Sequence, residues 1–220
     1  MILIPVKNLS AAKQRLATVL DQPSRTELAQ TMLLDVVTAL AAWPQRPPCT
    51  LVTGDPFGMD LARRYDFEII PDPANPGETG AIEMATRLCV ERGVESTLVI
   101  PADIPLVQAS ELEEMITQAP LEGTVLAPAA DGCGTNAAFR RPANLFPLRF
   151  GNDSFKPHLA AAQGTGKPCI VLRLPNLAVD VDNPEDLQQL LAHPGETRTQ
   201  RLIRKWIADG RLLATGAEAM

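Results

Sequence analysis

Short apolar runs alternate along the chain with longer stretches in which apolar residues recur every three to four positions. That alternation predicts βαβ units around a mainly parallel sheet flanked by helices, an α/β fold. The runs are ILIPV (2–6), CTLVT (49–53), FEIIP (67–71), TLVIP (97–101), TVLAP (124–128), CIVLRL (169–174) and LAVDV (177–181). Most are continuously apolar, as strands covered on both faces should be. Between them, Ser24 and Glu27 have capping-box spacing ahead of Leu28, Met32, Val36 and Leu40, which predicts a core-facing helix. Ser110 and Glu113 repeat the device, and Asn183 before Pro184 gives a third helix start. Gly77 to Gly93 and Thr197 to Asp209 read as two more helices, the last with Leu202, Ile203, Trp206 and Ile207 as its apolar stripe. That stripe packs either on its own chain or on a second subunit, so a homodimer is an open expectation.

With 220 residues, 45% hydrophobic and 21% charged, the chain is long and apolar enough for one domain spanning 1–220 and too apolar for disorder. No apolar run reaches membrane-spanning length and the N-terminus lacks a leader pattern, so a cytoplasmic protein is expected. Cys49, Cys89, Cys133 and Cys169 are widely spaced, which fits reduced thiols better than a zinc site. A net charge of −6 argues against nucleic acid as a partner. It leaves room for a small anionic substrate held by local cations.

Ligands of open α/β sheets bind beyond the carboxyl ends of strands, so the strand exits carry the candidate chemistry. After the first run come Lys7, Lys13 and Arg15, three cations within nine residues that would suit a triphosphate. The alternative is an exposed basic patch. After the fourth run, Asp103 stands between Pro101 and Pro105; a carboxylate there must be paired, solvated or metal-bound, with magnesium on phosphates a natural partner. It could equally cap the following helix. Asp180 and Asp182, two apart, would point to one face if the strand continues through them, and a cation between them would relieve their repulsion. Asp182 as an additional cap beside Asn183 is the alternative.

The remaining exit joins Asp131-Gly132-Cys133-Gly134-Thr135-Asn136 to the stretch from Arg149 to His158. Gly132 and Gly134 allow close backbone approach and Thr135 adds a hydroxyl. Ser154 looks like the start of a helix, although Pro157 argues for a start no earlier than itself. A phosphate at that N-terminus would meet backbone N–H groups. His158, one turn on, either faces the same pocket or is an ordinary packed residue.

Five strings occur in order between residues 5 and 187: P-V-K-x(5)-K-x-R-L, P-A-D-I-P-L, D-G-x-G-T-N, R-F-G-x-x-S-F-x-x-H and D-V-D-x-P-E-D-L. Together they resemble the guanylyltransferases of coenzyme F420 biosynthesis, which join a small phosphorylated acid to GMP from GTP. The resemblance implies the Rossmann-like nucleotidyltransferase (GT-A type) fold and a phosphoacid at Thr135, Gly151 and Ser154. It further implies Mg2+ on Asp103 and one or both of Asp180 and Asp182, with Lys7, Lys13 and Arg15 toward GTP. At Gly77-Glu78-Thr79 the chain departs from a glycine-rich G-L-N sequence common in that family. Two rival readings are a sugar-phosphate or molybdopterin-type nucleotidyltransferase, which expects a glycine-rich first loop, and a non-catalytic nucleotide-binding regulator of the same fold.

Overall fold

Six of the seven apolar runs become strands. In the computed structural model, β1 (Ile2–Val6), β2 (Cys49–Thr53), β3 (Glu68–Pro71), β4 (Thr97–Val99), β5 (Gly123–Pro128), β6 (Thr135–Arg141) and β7 (Cys169–Val171) form one sheet in the order β3-β2-β1-β4-β6-β5-β7. Every pairing is parallel except those of β6, which runs antiparallel to β4 and β5. The structure describes residues 1–73, 77–151 and 153–212, so the end of the expected 1–220 span lies outside them.

Strand residues alternate between two cores, as the period of a pleated strand requires. Ile2, Ile4 and Val6 of β1 face one core with Leu51 of β2 and Phe139 of β6, while Leu3, Val52 and Ala138 face the other. On the first face lie α1 (Gln22–Ala41), α2 (Pro56–Arg64) and α4 (Ala109–Thr117). On the second lie α3 (Glu78–Glu91) and α5 (Phe155–Gly164). A third cluster joins Leu28 and Met32 of α1 to α6 (Pro184–Ala192) and α7 (Arg198–Ala208). Trp206 is buried there against its own chain, so the centre of the α7 stripe is used internally. Among the described residues no helix is long and apolar enough to cross a membrane.

Several expectations are corrected. Residues 177–181 are not a strand: Ala178 N–H goes back to Leu174 O and Val181 N–H goes to Asp103 O, so the run crosses the core in turns. Its apolar residues, Leu177, Val179 and Val181, are buried all the same, which is why it reads like a strand. β6 and α2 were not expected. The cap of α1 is Asp21, which accepts from Ser24 N–H at 2.8 Å, and Ser24 lies inside the helix. α4 likewise starts before Ser110, behind Gln108. α5 starts at Phe155 with Pro157 in its first turn, where no intrahelical N–H is required of it. The starts at Asn183 and Thr197 are as expected, each with a complete capping box.

Candidate active site

The strand order reverses between β1 and β4, and the carboxyl ends of β1, β4 and β5 meet the amino end of β6 at that point. A cleft opens there in two lobes. The first, about 500 Å³, is lined by Lys7, Asn8, Lys13, Arg15 and Met32. The second, about 510 Å³, is lined by Asp131, Thr135, Asn136, Gly151, Ser154 and Asp180. Arg15, Glu78, Pro101, Asp103 and Asp182 belong to both and form the wall between them.

The loop after β1 is built from two short 3-10 turns, Leu9–Ala11 and Gln14–Leu16. Asn8 caps the first, and Asp55, the N-cap of α2, accepts Leu9 N–H at 3.0 Å and so ties the loop to the next βα unit. Lys13 sits between the turns in the left-handed region at φ 55°, an unusual place for a lysine and one that costs backbone energy. The conformation delivers its ammonium to Asp103 Oδ2 at 2.5 Å and Asp182 Oδ1 at 2.8 Å. Burial alone would lower the Lys13 pKa, but the charges and hydrogen bonds of Asp103 and Asp182 outweigh it and raise the pKa instead. Burial would likewise raise Asp182, and Lys13 reverses that, so Asp182 stays ionised. Arg15 stands 3.5 Å from the same carboxylate.

Asp180 takes a different position. Its Oδ1 accepts from Asn136 Nδ2 at 3.0 Å, and the same amide donates to the carbonyls of Leu177 and Ala178, locking the 177–180 turn onto β6. Burial, then the charge of Asp103, push the Asp180 pKa up to about 6. Burial and the same aspartate push Glu78, at the start of α3, up to about 7. Added positive charge is therefore favoured at this wall.

In the second lobe Asp131 folds the glycine turn by accepting the N–H groups of Cys133 at 2.7 Å and Gly134 at 3.2 Å. Gly151 has φ 140°, a conformation glycine alone adopts readily. Ser154 caps no amide of its own helix; its Oγ accepts Thr135 N–H at 3.1 Å. The N-terminus of α5 is a poorer anion site than its sequence suggests, because Phe155 N–H goes to Cys133 O and Pro157 has none.

Most of the residues singled out from sequence line this cleft: Lys7, Lys13 and Arg15 in the first lobe, Thr135, Gly151, Ser154 and Asp180 in the second, and Asp103 and Asp182 between them, whereas Gly132 and His158 do not line it. Asp103 does not cap α4, which begins at Ala109 behind Gln108. Asp182 does not cap α6 either, since that role falls to Asn183. Asn136 of the second lobe and Glu78 of the wall have no role in the sequence reading. Asn136 is signalled only by its place in D-G-x-G-T-N, and Glu78 only by the departure from G-L-N.

The same fold occurs in proteins of known structure. The chain superposes on the crystal structure of a nucleotide-diphospho-sugar transferase candidate from Desulfovibrio desulfuricans G20 with TM-score 0.75, covering 94% of each chain at 18% identity. The fold is that of the nucleotidyltransferases. Within that class the chain belongs to the family described as guanylyl transferase CofC like, whose model matches residues 1–214. Phosphoenolpyruvate guanylyltransferase of Sphaerobacter thermophilus is 35% identical over 190 residues, 86% of this chain and 91% of that one. 2-Phospho-L-lactate guanylyltransferase of Methanothermobacter thermautotrophicus is 30% identical over 203 residues (92% and 89%). 3-Phospho-D-glycerate guanylyltransferase of Colwellia psychrerythraea is 33% identical over 202 residues (91% and 95%). Family membership makes the chain a GTP-dependent nucleotidyltransferase.

Proposed function

We propose that the protein transfers GMP from GTP to a small phosphorylated acid, namely phosphoenolpyruvate, 2-phospho-L-lactate or 3-phosphoglycerate, in cytoplasmic coenzyme F420 biosynthesis. The observation that carries this reading is the shared wall: a cation-lined lobe and a hydroxyl- and glycine-lined lobe meet across Asp103, Asp182, Glu78 and Arg15. Two anionic substrates entering the two lobes would bring their phosphates together at that wall.

The acid's own phosphate monoester, dianionic above a second pKa of about 6, is the nucleophile. One of its oxygens forms a bond to the α-phosphorus of GTP, and the bond from that phosphorus to the bridging oxygen of pyrophosphate breaks. No protein nucleophile is required. The task of the residues is to bring two polyanions together in line and to meet the charge that develops on the departing pyrophosphate. Lys7, Lys13 and Arg15 take the triphosphate, and Thr135, Gly151 and Ser154 take the acid.

Asp103, Asp180 and Asp182 are the oxygen donors that would hold a magnesium ion if Asp103 and Asp182 exchanged Lys13 for it; among the described residues no three acids are already gathered as a metal site. Asp103 and Asp182 stand in the wall and Asp180 beside it in the second lobe; burial first and the charge of Asp103 second raise the Asp180 pKa, and a divalent cation would relieve the second of these. When bound, the ion supplies charge neutralisation for the phosphates.

The test is a panel of the three phosphoacids and the common nucleoside triphosphates with Mg2+, read by the mass of the diphosphate product. A guanylylated acid with release of pyrophosphate is expected for at least one acid. Product from a sugar phosphate, or none from any acid, overturns the reading.

A further inference from the structure

His158 belongs to the second lobe without lining it. Its ring is 1% exposed in α5, edge-on to Phe150 with centroids 5.2 Å apart. Nε2 lies 2.8 Å from Arg149 N, and a backbone amide only donates, so Nε2 carries the lone pair. The proton of a neutral ring is then on Nδ1, which lies 2.9 Å from Thr135 Oγ1. Thr135 Oγ1 accepts that proton's hydrogen bond, and its own hydroxyl hydrogen must be directed elsewhere. Thr135 N–H meanwhile donates to Ser154 Oγ, so that hydroxyl too accepts from the protein and keeps its hydrogen for another partner. Both residues line the second lobe.

We propose that His158 is a positioning residue for the phosphorylated acid: its Nδ1–H turns the Thr135 hydroxyl into a donor aimed at an anion in the second lobe. Arg149 N–H fixes the tautomer that makes this direction obligatory. The same contact pins the approach to Gly151, and Phe150 N–H is held in turn by Thr79 Oγ1 at 3.0 Å. One imidazole therefore orders Thr135 directly and the loop before Gly151 through its backbone. Burial, and secondarily the charge of Arg140, keep the ring neutral, with its pKa pushed down to about 4. The inference rests on the guanylyl-transfer reading for the identity of the anion, but the direction of the hydrogen bonds stands without it.

Steady-state kinetics of His158→Ala, His158→Asn and Thr135→Val test it. His158→Ala should raise the phosphoacid KM about tenfold or more, as expected for losing a hydrogen bond to a charged group, with the GTP KM within about twofold. His158→Asn, whose amide nitrogen reaches the Nδ1 position, should recover most of that loss. In a Thr135→Val background His158→Ala should add clearly less than it does alone, because the hydroxyl route is gone and only its hold on Arg149 N–H remains to be lost. Equal shifts in both KM values, additive effects in the double variant, or no shift at all would overturn the assignment. Should His158→Ala not fold, 15N spectra of histidine-labelled wild type decide the matter. A neutral ring protonated at Nδ1 is expected, and an Nε2-protonated ring or an imidazolium overturns the proposal. Wild type that makes no product from any acid defeats the guanylyl-transfer reading instead, and the ring spectra still separate the two failures.

Discussion

At Lys13 burial and charge pull in opposite directions, and the charge of two aspartates wins. The ammonium pairs with both acids at once and so offsets much of the wall's negative charge. Removing one of them should therefore cost chemistry more than folding. Asp103→Ala is expected to lower kcat/KM by about a thousandfold or more, in line with loss of a charge-organising group, while thermal melting shifts little because Asp182 still pairs with Lys13. Near-normal turnover in the purified variant would remove Asp103 from the mechanism. Ser154→Ala should raise the phosphoacid KM more than the GTP KM, since Ser154 lines only the second lobe; matched changes in steady-state assays would argue against an acid cradle. His158 gives a pH prediction. The unfolded chain protonates this ring below about pH 6.5, the folded chain only near 4, so between these values the unfolded state binds more protons and stability falls as pH drops. From about pH 7 to 5 the loss is about 2 kcal/mol, and urea melts of His158→Gln should lack that component.

Among the elements, α7 depends on a carboxylate contributed by α1. Asp35, buried in α1, accepts Arg198 N–H at 3.2 Å, Thr199 N–H at 2.9 Å and Thr199 Oγ1–H at 2.7 Å, with Arg198 NH1 at 3.3 Å. These are the N–H groups a helix start leaves unpaired. Asp35→Ala should destabilise the protein by about 2–3 kcal/mol in urea titration, because buried donors lose a charged acceptor. The helix itself was legible: Thr197, the stripe through Trp206 and the end near Asp209 are local signals. Asp35 as its anchor was not, since the two lie 163 residues apart. The same distinction explains β6. Its inward Asn136 and Arg140 break the apolar pattern, and what makes their burial tolerable is remote: Leu177 O, Ala178 O and Asp180 for the amide, Phe146 O, Thr86 and Thr97 for the guanidinium. The false strand at 177–181 is the converse, an apolar alternation that buries its residues by turning across the core. That Asp103, Asp180 and Asp182 would gather at a strand exit was readable because an acid beside a buried run demands a partner, and all three line the cleft. Glu78 stands out only as a departure from G-L-N, which on its own gives it no chemistry.

At the scale of the molecule, a net charge of −6 opposes the approach of any free nucleotide or phosphoacid. Binding must then rely on the basic first loop and on a cation brought with the substrate. Chelation of divalent ions with EDTA should abolish pyrophosphate release and excess Mg2+ should restore it, while Asp180→Asn should raise the Mg2+ requirement about tenfold in the same assay. Full activity in chelator would show that the fixed cations suffice.

The contact between Lys13 and Asp182 spans 169 positions of sequence. During translation the loop after β1 emerges long before the segment that completes its charge pairing, so the early chain carries a cationic turn with its lysine unmatched. The loop's charge pairing is complete only after the segment near residue 182 has left the ribosome.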